Sequence, residues 1–167
     1  MKAVLLGAIC LGLAVALIGC RPNGMNSRPE PPKPESRINQ ILLQSRATPV
    51  NLDEQEGPDG FAVRVFFFRA NKPEPVTVSG TLEVLLFEGD VSESQVEQAP
   101  VYHKWTFPGS RLGRYLIKNV VGWGYSMQLD WGEKMPRTKA ITLVARYYPP
   151  GGTPVASRPV TLAMSID

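Results

Sequence analysis

The chain has 167 residues, 43% hydrophobic and 20% charged, proportions that suit one folded domain and exclude wholesale disorder. Its 18 Lys and Arg against 15 Asp and Glu leave a net +3 without a basic block, so no nucleic-acid partner is expected. Sixteen Pro and fifteen Gly favour strands and turns over long helices, and one His with two Cys leaves little for a histidine-rich metal site or a disulfide framework.

Residues 3–18 read AVLLGAICLGLAVALI, uninterrupted by charge and preceded by Lys2. A bilayer span needs about 20 apolar residues, so this run is short for a membrane helix and fits a secretory signal over residues 1–19. It ends in Leu17-Ile18-Gly19-Cys20. That tetrad resembles the lipobox of bacterial lipoproteins. The resemblance implies that a diacylglyceryl group (palmitate-type acyl chains) is attached to the Cys20 sulfur and that a peptidase cuts just before it. Cys20 then anchors the mature chain to the membrane, each buried CH₂ contributing about 0.8 kcal/mol. Cys10 leaves with the signal, so no intramolecular disulfide can form. In enterobacterial lipoproteins an Asp directly after the lipid-bearing cysteine retains the protein in the inner membrane. Arg21 stands there instead, so the resemblance favours the outer membrane.

Residues 20–37 carry five prolines between Pro22 and Pro34 and, apart from Met25, no large aliphatic side chain. Such a segment cannot bury enough apolar surface to offset ordering, and it reads as a spacer lifting a domain off a lipid surface. Over 38–47 a short helix is expected, with Ser36 as N-cap and Ile38, Ile41 and Leu42 on one face; an extended strand is the competing reading.

The domain proper is expected over 48–167. Phe61, Val63, Val65 and Phe67 alternate with Ala62, Arg64, Phe66 and Phe68, the period of a half-buried strand. Val76–Ser79 and Thr81–Phe87 follow, with Gly80 between them marking a bulge or bend. The polar stretch 91–99 reads as a loop or single helical turn. Val101, His103, Trp105 and Phe107 form the next alternating set, and 112–121 is a weaker apolar run. In Trp123–Trp131 every odd residue is large and apolar and every even one small or polar. Ile141–Tyr147, Val155 and Val160–Ile166 complete about seven or eight strands, with Pro149-Pro150-Gly151-Gly152 as a tight turn. The pattern predicts an all-β, antiparallel β-sandwich of immunoglobulin-like or transthyretin-like kind. Two cysteines flanking a tryptophan, the mark of true immunoglobulin domains, are missing.

No catalytic constellation is predicted. His103 keeps register with Trp105 and reads as a packed histidine, and no G-x-S-x-G occurs. Gly122-Trp123-Gly124 lacks the third glycine of a dinucleotide loop, Met127 standing in its place, and a strand follows it. Asp53, Glu54, Glu56 and Asp59 with Gly57 and Gly60 make an oxygen-rich turn. Its spacing is not that of a calcium loop, so no metal is expected there. Trp105, Trp123 and Trp131 could stack on sugar rings if exposed, but their periodicity places Trp123 and Trp131 with core residues. Arg111, Arg114 and Lys118 could meet anionic lipid or glycan, with a solvated face as the ordinary explanation.

Two further resemblances bear on role. Val50-Asn51-Leu52-Asp53 followed by Gly60 to Phe67 is similar to the first strand region of the small sandwich lipoprotein of type VI secretion, which implies membership of an envelope-spanning machine. The Trp105, Trp123 and Trp131 strands and the proline-rich leader resemble predicted planctomycete lipoproteins, with no activity implied. Taken together, the expectation is a lipid-anchored envelope protein with a binding or structural role, no cofactor, and an envelope protein or glycan as partner.

Overall fold

The computed structural model describes residues 29–52 and 58–164. The signal segment, Cys10, Cys20, and Asp53, Glu54, Glu56 and Gly57 of the acidic turn lie outside them. The chain divides into Met1–Glu30 and Pro31–Asp167, and all the described secondary structure belongs to the second unit.

Among the described residues nine strands form two antiparallel sheets: β1 (Gln40–Ser45), β2 (Gly60–Phe68), β3 (Thr81–Glu88), β4 (His103–Phe107), β5 (Leu116–Lys118), β6 (Trp123–Asp130), β7 (Ala140–Tyr148), β8 (Val155–Ala156) and β9 (Val160–Ala163). A one-turn helix, α1 (Gly109–Leu112), and a 3₁₀ turn (Gly113–Tyr115) connect β4 to β5. One sheet has the order β1-β2-β6-β5 and the other β4-β3-β7-β8, with β9 also on β7. This is the immunoglobulin arrangement: first, second, fifth and fourth strands in one layer, with the third, sixth and last in the other. Here an extra strand, β4, is added beside the third.

The alternation seen in the sequence decides what faces inward. Phe61, Val63, Val65 and Phe67 of β2 and Tyr125, Met127 and Leu129 of β6 meet Leu82, Val84 and Leu86 of β3 and Ile141, Leu143, Ala145 and Tyr147 of β7 in one core. Trp131, just beyond β6, joins them, its ring edge-on to Phe61 at 4.8 Å.

The helix expected over 38–47 is replaced by β1. Ile41 and Leu43 are buried while Leu42 faces out, a period of two that the sequence Ile41-Leu42-Leu43 permits as readily as a helical face. Pairing Gln40 with Phe68 through Ser45 with Val63 satisfies a ladder that a short isolated helix could not replace. The folded part therefore begins well before residue 48. Val76–Ser79 is likewise not a strand; it makes one bridge, Val76 with Phe67, and crosses between the sheets.

The centre of the second sheet, where β3 and β7 pair, is buried on both faces. Leu85, Phe87 and Val144 point away from the main core and are covered by Val91 and Val96 of the 89–102 connection. Three outward residues of β7 hold that cover. Thr142 Oγ1 accepts the Val91 N–H (3.0 Å) and donates to the Gly89 carbonyl (2.8 Å). Val144 supplies apolar contact, and Arg146 pairs with Glu97 at 2.6 Å.

At the other edge of β7 the last strand is interrupted between β8 and β9. There Ser157 N–H donates to the Ala145 carbonyl (2.8 Å), while Ser157 Oγ accepts the Ala145 N–H (3.0 Å). A side-chain hydroxyl thus stands in for a ladder carbonyl, keeping the buried backbone of β7 satisfied across the break.

Candidate functional site

One end of the sandwich collects the features that set this chain apart. It carries the β2–β3 connection, the β5–β6 turn, the β7–β8 turn and the incoming segment 31–39. The incoming segment is tied down. Thr77 Oγ1 donates to the Pro32 carbonyl (2.8 Å), Glu35 N–H to the Thr77 carbonyl (2.8 Å) and Asn39 N–H to the Phe68 carbonyl (2.9 Å). Asn39 Oδ1 accepts the Ala70 N–H (2.7 Å), and Glu35 pairs with Arg69 (3.0 Å) and Lys72 (3.9 Å). The last residues of the proline-rich spacer are thus docked on the domain.

Beneath them lies a polar device inside the core. The crossing segment 76–80 has no ladder partner beyond Val76, so its buried amides need others. Tyr125 supplies one: its hydroxyl accepts the Val78 N–H (2.8 Å) and donates to the Val78 carbonyl (3.1 Å). The Tyr147 hydroxyl accepts the Gly80 N–H (2.9 Å). Both rings pack edge-on against Phe67, at 5.5 and 5.0 Å. Burial pushes the Tyr125 hydroxyl up to about 12, opposed by the Val78 bond and helped by the neighbouring Tyr147. Burial also raises Tyr147, against the Gly80 and Ser79 backbone bonds. Neither hydroxyl is poised to give up a proton near neutrality; each acts as a structural anchor.

At the same end the β5–β6 hairpin closes through Asn119-Val120-Val121-Gly122. Asn119 and Gly122 exchange backbone hydrogen bonds (3.0 and 3.2 Å), and Asn119 Oδ1 accepts the Val121 N–H at 2.9 Å. Gly122 takes φ +130, a conformation open to glycine, and a Cβ there would come within 2.8 Å of Pro75 in the β2–β3 connection. Gly124 is needed for a different reason, since a Cβ would meet the Phe66 ring at 2.5 Å. The glycines flanking Trp123 thus serve a turn and a close approach.

The tryptophans divide. Trp131 is core. Trp123, expected with it, is only half-buried at the mouth of the hairpin, with Lys118 Nζ 5.8 Å from its ring centroid. Trp105 is half-buried at the opposite edge, where its indole N–H donates to the Asp130 carbonyl at 2.7 Å and ties β4 to the first sheet. Its ring packs on His103, centroids 4.4 Å apart. Burial, and next Lys134, hold the His103 imidazole below its ordinary value, with Asp130 opposing. The half-buried imidazole packs on the tryptophan ring. Asp59 of the acidic turn spends Oδ1 on the Leu52 N–H (2.7 Å). Among the described residues no group of three or more His, Cys, Asp or Glu side chains is placed to hold a metal.

Shallow grooves mark the surface of the described residues. One of about 440 Å³ lies by Leu42, Phe68 and the 69–73 turn, one of about 280 Å³ over Gln44, Arg46, Arg64 and Ser126, and one of about 330 Å³ between Phe87 and the 99–102 segment. Arg111, Arg114 and Lys118 are exposed and form no ion pair with an acid among the described residues. Such surfaces can hold an extended or anionic partner by area and charge. Compared with family models, curated proteins and solved structures, the chain gives no match.

Proposed function

We propose that this chain is a lipid-anchored protein of the bacterial cell envelope whose β-sandwich serves as a binding or structural module and not as an enzyme. The observation that carries the reading is Leu17-Ile18-Gly19-Cys20 at the end of an uncharged apolar run, followed at once by a proline-rich stretch. The docking of 31–39 on a well-packed domain supports it, because an anchored module needs a firm junction between spacer and fold. Arg21 after the cysteine favours the outer membrane. An envelope protein or glycan is the partner class that the exposed grooves and unpaired cations fit.

The test is the intact mass of the protein purified from its native membrane, with peptide mapping of its N-terminus. A chain beginning at Cys20 with added acyl mass is the expected result. A chain beginning elsewhere without lipid would overturn the anchor.

A further inference from the structure

We propose that the β5–β6 hairpin is a second, reversible membrane contact, its tip dipping into an anionic phospholipid surface. Val120 at the tip is fully exposed and Val121 is half-exposed, two adjacent β-branched apolar side chains that face solvent. Most exposed apolar residues occur singly; a pair on the outermost turn of a hairpin is the form of a shallow wedge. Two residues further along, Trp123 sits half-buried, an aromatic at the height where an interfacial ring is favoured. Lys118, opposite Trp123 in the ladder, places its ammonium over that ring.

Charge selects the kind of surface. From residue 98 to residue 129 the sequence contains no Asp or Glu, while Lys104, Arg111, Arg114 and Lys118 all fall within it. Arg111, Arg114 and Lys118, on the chain leading into the hairpin, are exposed without an acidic partner among the described residues. Cations on the chain leading into the wedge complement lipid phosphates, and they outnumber the one exposed acid beside the tip, Glu74.

Direction comes from the fold. Gly122 lies against Pro75, and the segment 31–39 is bound to Phe68, Ala70 and Thr77 in and beside the same connection. Residues 31–39 therefore enter the domain at the end that carries the hairpin tip. The orientation rests on the lipid-anchored reading, in which the anchor at Cys20 precedes that entry point in the chain. The anchor then supplies residence and the hairpin supplies orientation.

The experiment reconstitutes the mature protein, purified from its native membrane, into vesicles of phosphatidylcholine with or without phosphatidylglycerol, each doped with brominated lipid. Flotation reads the anchor and tryptophan quenching reads the tip, so the two can fail separately. Quenching is expected on the anionic vesicles, weaker on phosphatidylcholine alone, and lost on replacing Trp123 by Phe. Val120→Ser with Val121→Ser, solvent-facing changes that leave the core intact, should abolish it, and Lys118→Gln should lower tip occupancy on the order of fivefold. Absence of quenching, with or without flotation, overturns the contact. Equal quenching on both vesicle types, or quenching that survives the double serine variant, overturns it as well.

Discussion

Replacing Tyr125 by Phe removes one oxygen and leaves two buried backbone groups without partners. Val78 is 5% exposed and Tyr125 1%, so water cannot substitute at either end. An unsatisfied buried group costs about 1–3 kcal/mol, which puts the variant about 3 kcal/mol below the parent once partial relaxation is allowed. The parent also carries a pH signature. The folded hydroxyl is pushed up to about 12, above its ordinary 10.0, so folding favours the protonated form. That contribution is fully present below about pH 10 and is lost as pH rises toward the folded value, at up to about 1.4 kcal/mol per pH unit. Urea unfolding of the detergent-solubilised chain, followed by tryptophan fluorescence from about pH 7 to about pH 11, should show a lower midpoint for Tyr125→Phe at neutrality and a shallower alkaline decline. Tyr147→Phe orphans the Gly80 N–H and should likewise lower the midpoint, by about 1–3 kcal/mol. Because both hydroxyls hold the same segment, at Val78 and Gly80, the double variant should depart from additivity by at least about 0.5 kcal/mol. A Tyr125→Phe protein that loses under about 0.5 kcal/mol, or declines above pH 10 as steeply as the parent, would refute the reasoning.

Gly124→Ala must displace the buried Phe66 ring and should cost about 1–3 kcal/mol, read as a lower unfolding midpoint. Ser157→Ala orphans the Ala145 N–H and should cost about 1–2 kcal/mol with faster amide exchange in the second half of β7. The His103 titration, followed by NMR, should fall below its ordinary 6.5 and move up in Lys134→Ala. Its folded value being depressed, the stability it carries is present above about pH 6.5 and disappears as pH falls through the folded value. Glu97→Gln, by contrast, should change stability by less than about 1 kcal/mol, because Glu97 is 77% exposed in its pair with Arg146.

How much of this was readable from the chain follows from what kind of signal each element leaves. β2, β4 and β6 announce themselves by strict alternation, because one face of each meets the core and the other meets solvent or small neighbours. β1 does not, since three adjacent aliphatics fit a helical face and a strand face alike, and pairing with β2 decides between them. The cover over the second sheet was hidden in a polar stretch, where Val91 and Val96 look incidental. Its trace lies elsewhere, in the unbroken apolar runs Leu85-Leu86-Phe87 and Leu143-Val144-Ala145, which require burial on both faces. Trp123 and Trp131 share a face, yet only one is core, because periodicity gives direction and not distance from the end of the sheet. The tyrosine hydroxyls and the Ser157 stand-in serve partners 47, 67 and 12 residues away, separations no local pattern encodes. The hairpin tip was visible only as part of a weak apolar run, and its flanking cations only as a solvated face.

The docking of the spacer has a mechanical consequence. A pull on the N-terminus, away from the end where the chain enters, runs along the axis of β1. The ladder joining β1 to β2 is then loaded in shear, with its hydrogen bonds sharing the force together instead of opening one after another as they would if the strand were peeled sideways. Before any of that load reaches β1, it must break the contacts of Glu35 and Asn39 with the β2–β3 connection. Such a pull is therefore met first by a small sacrificial latch and then by a strand gripped along its length.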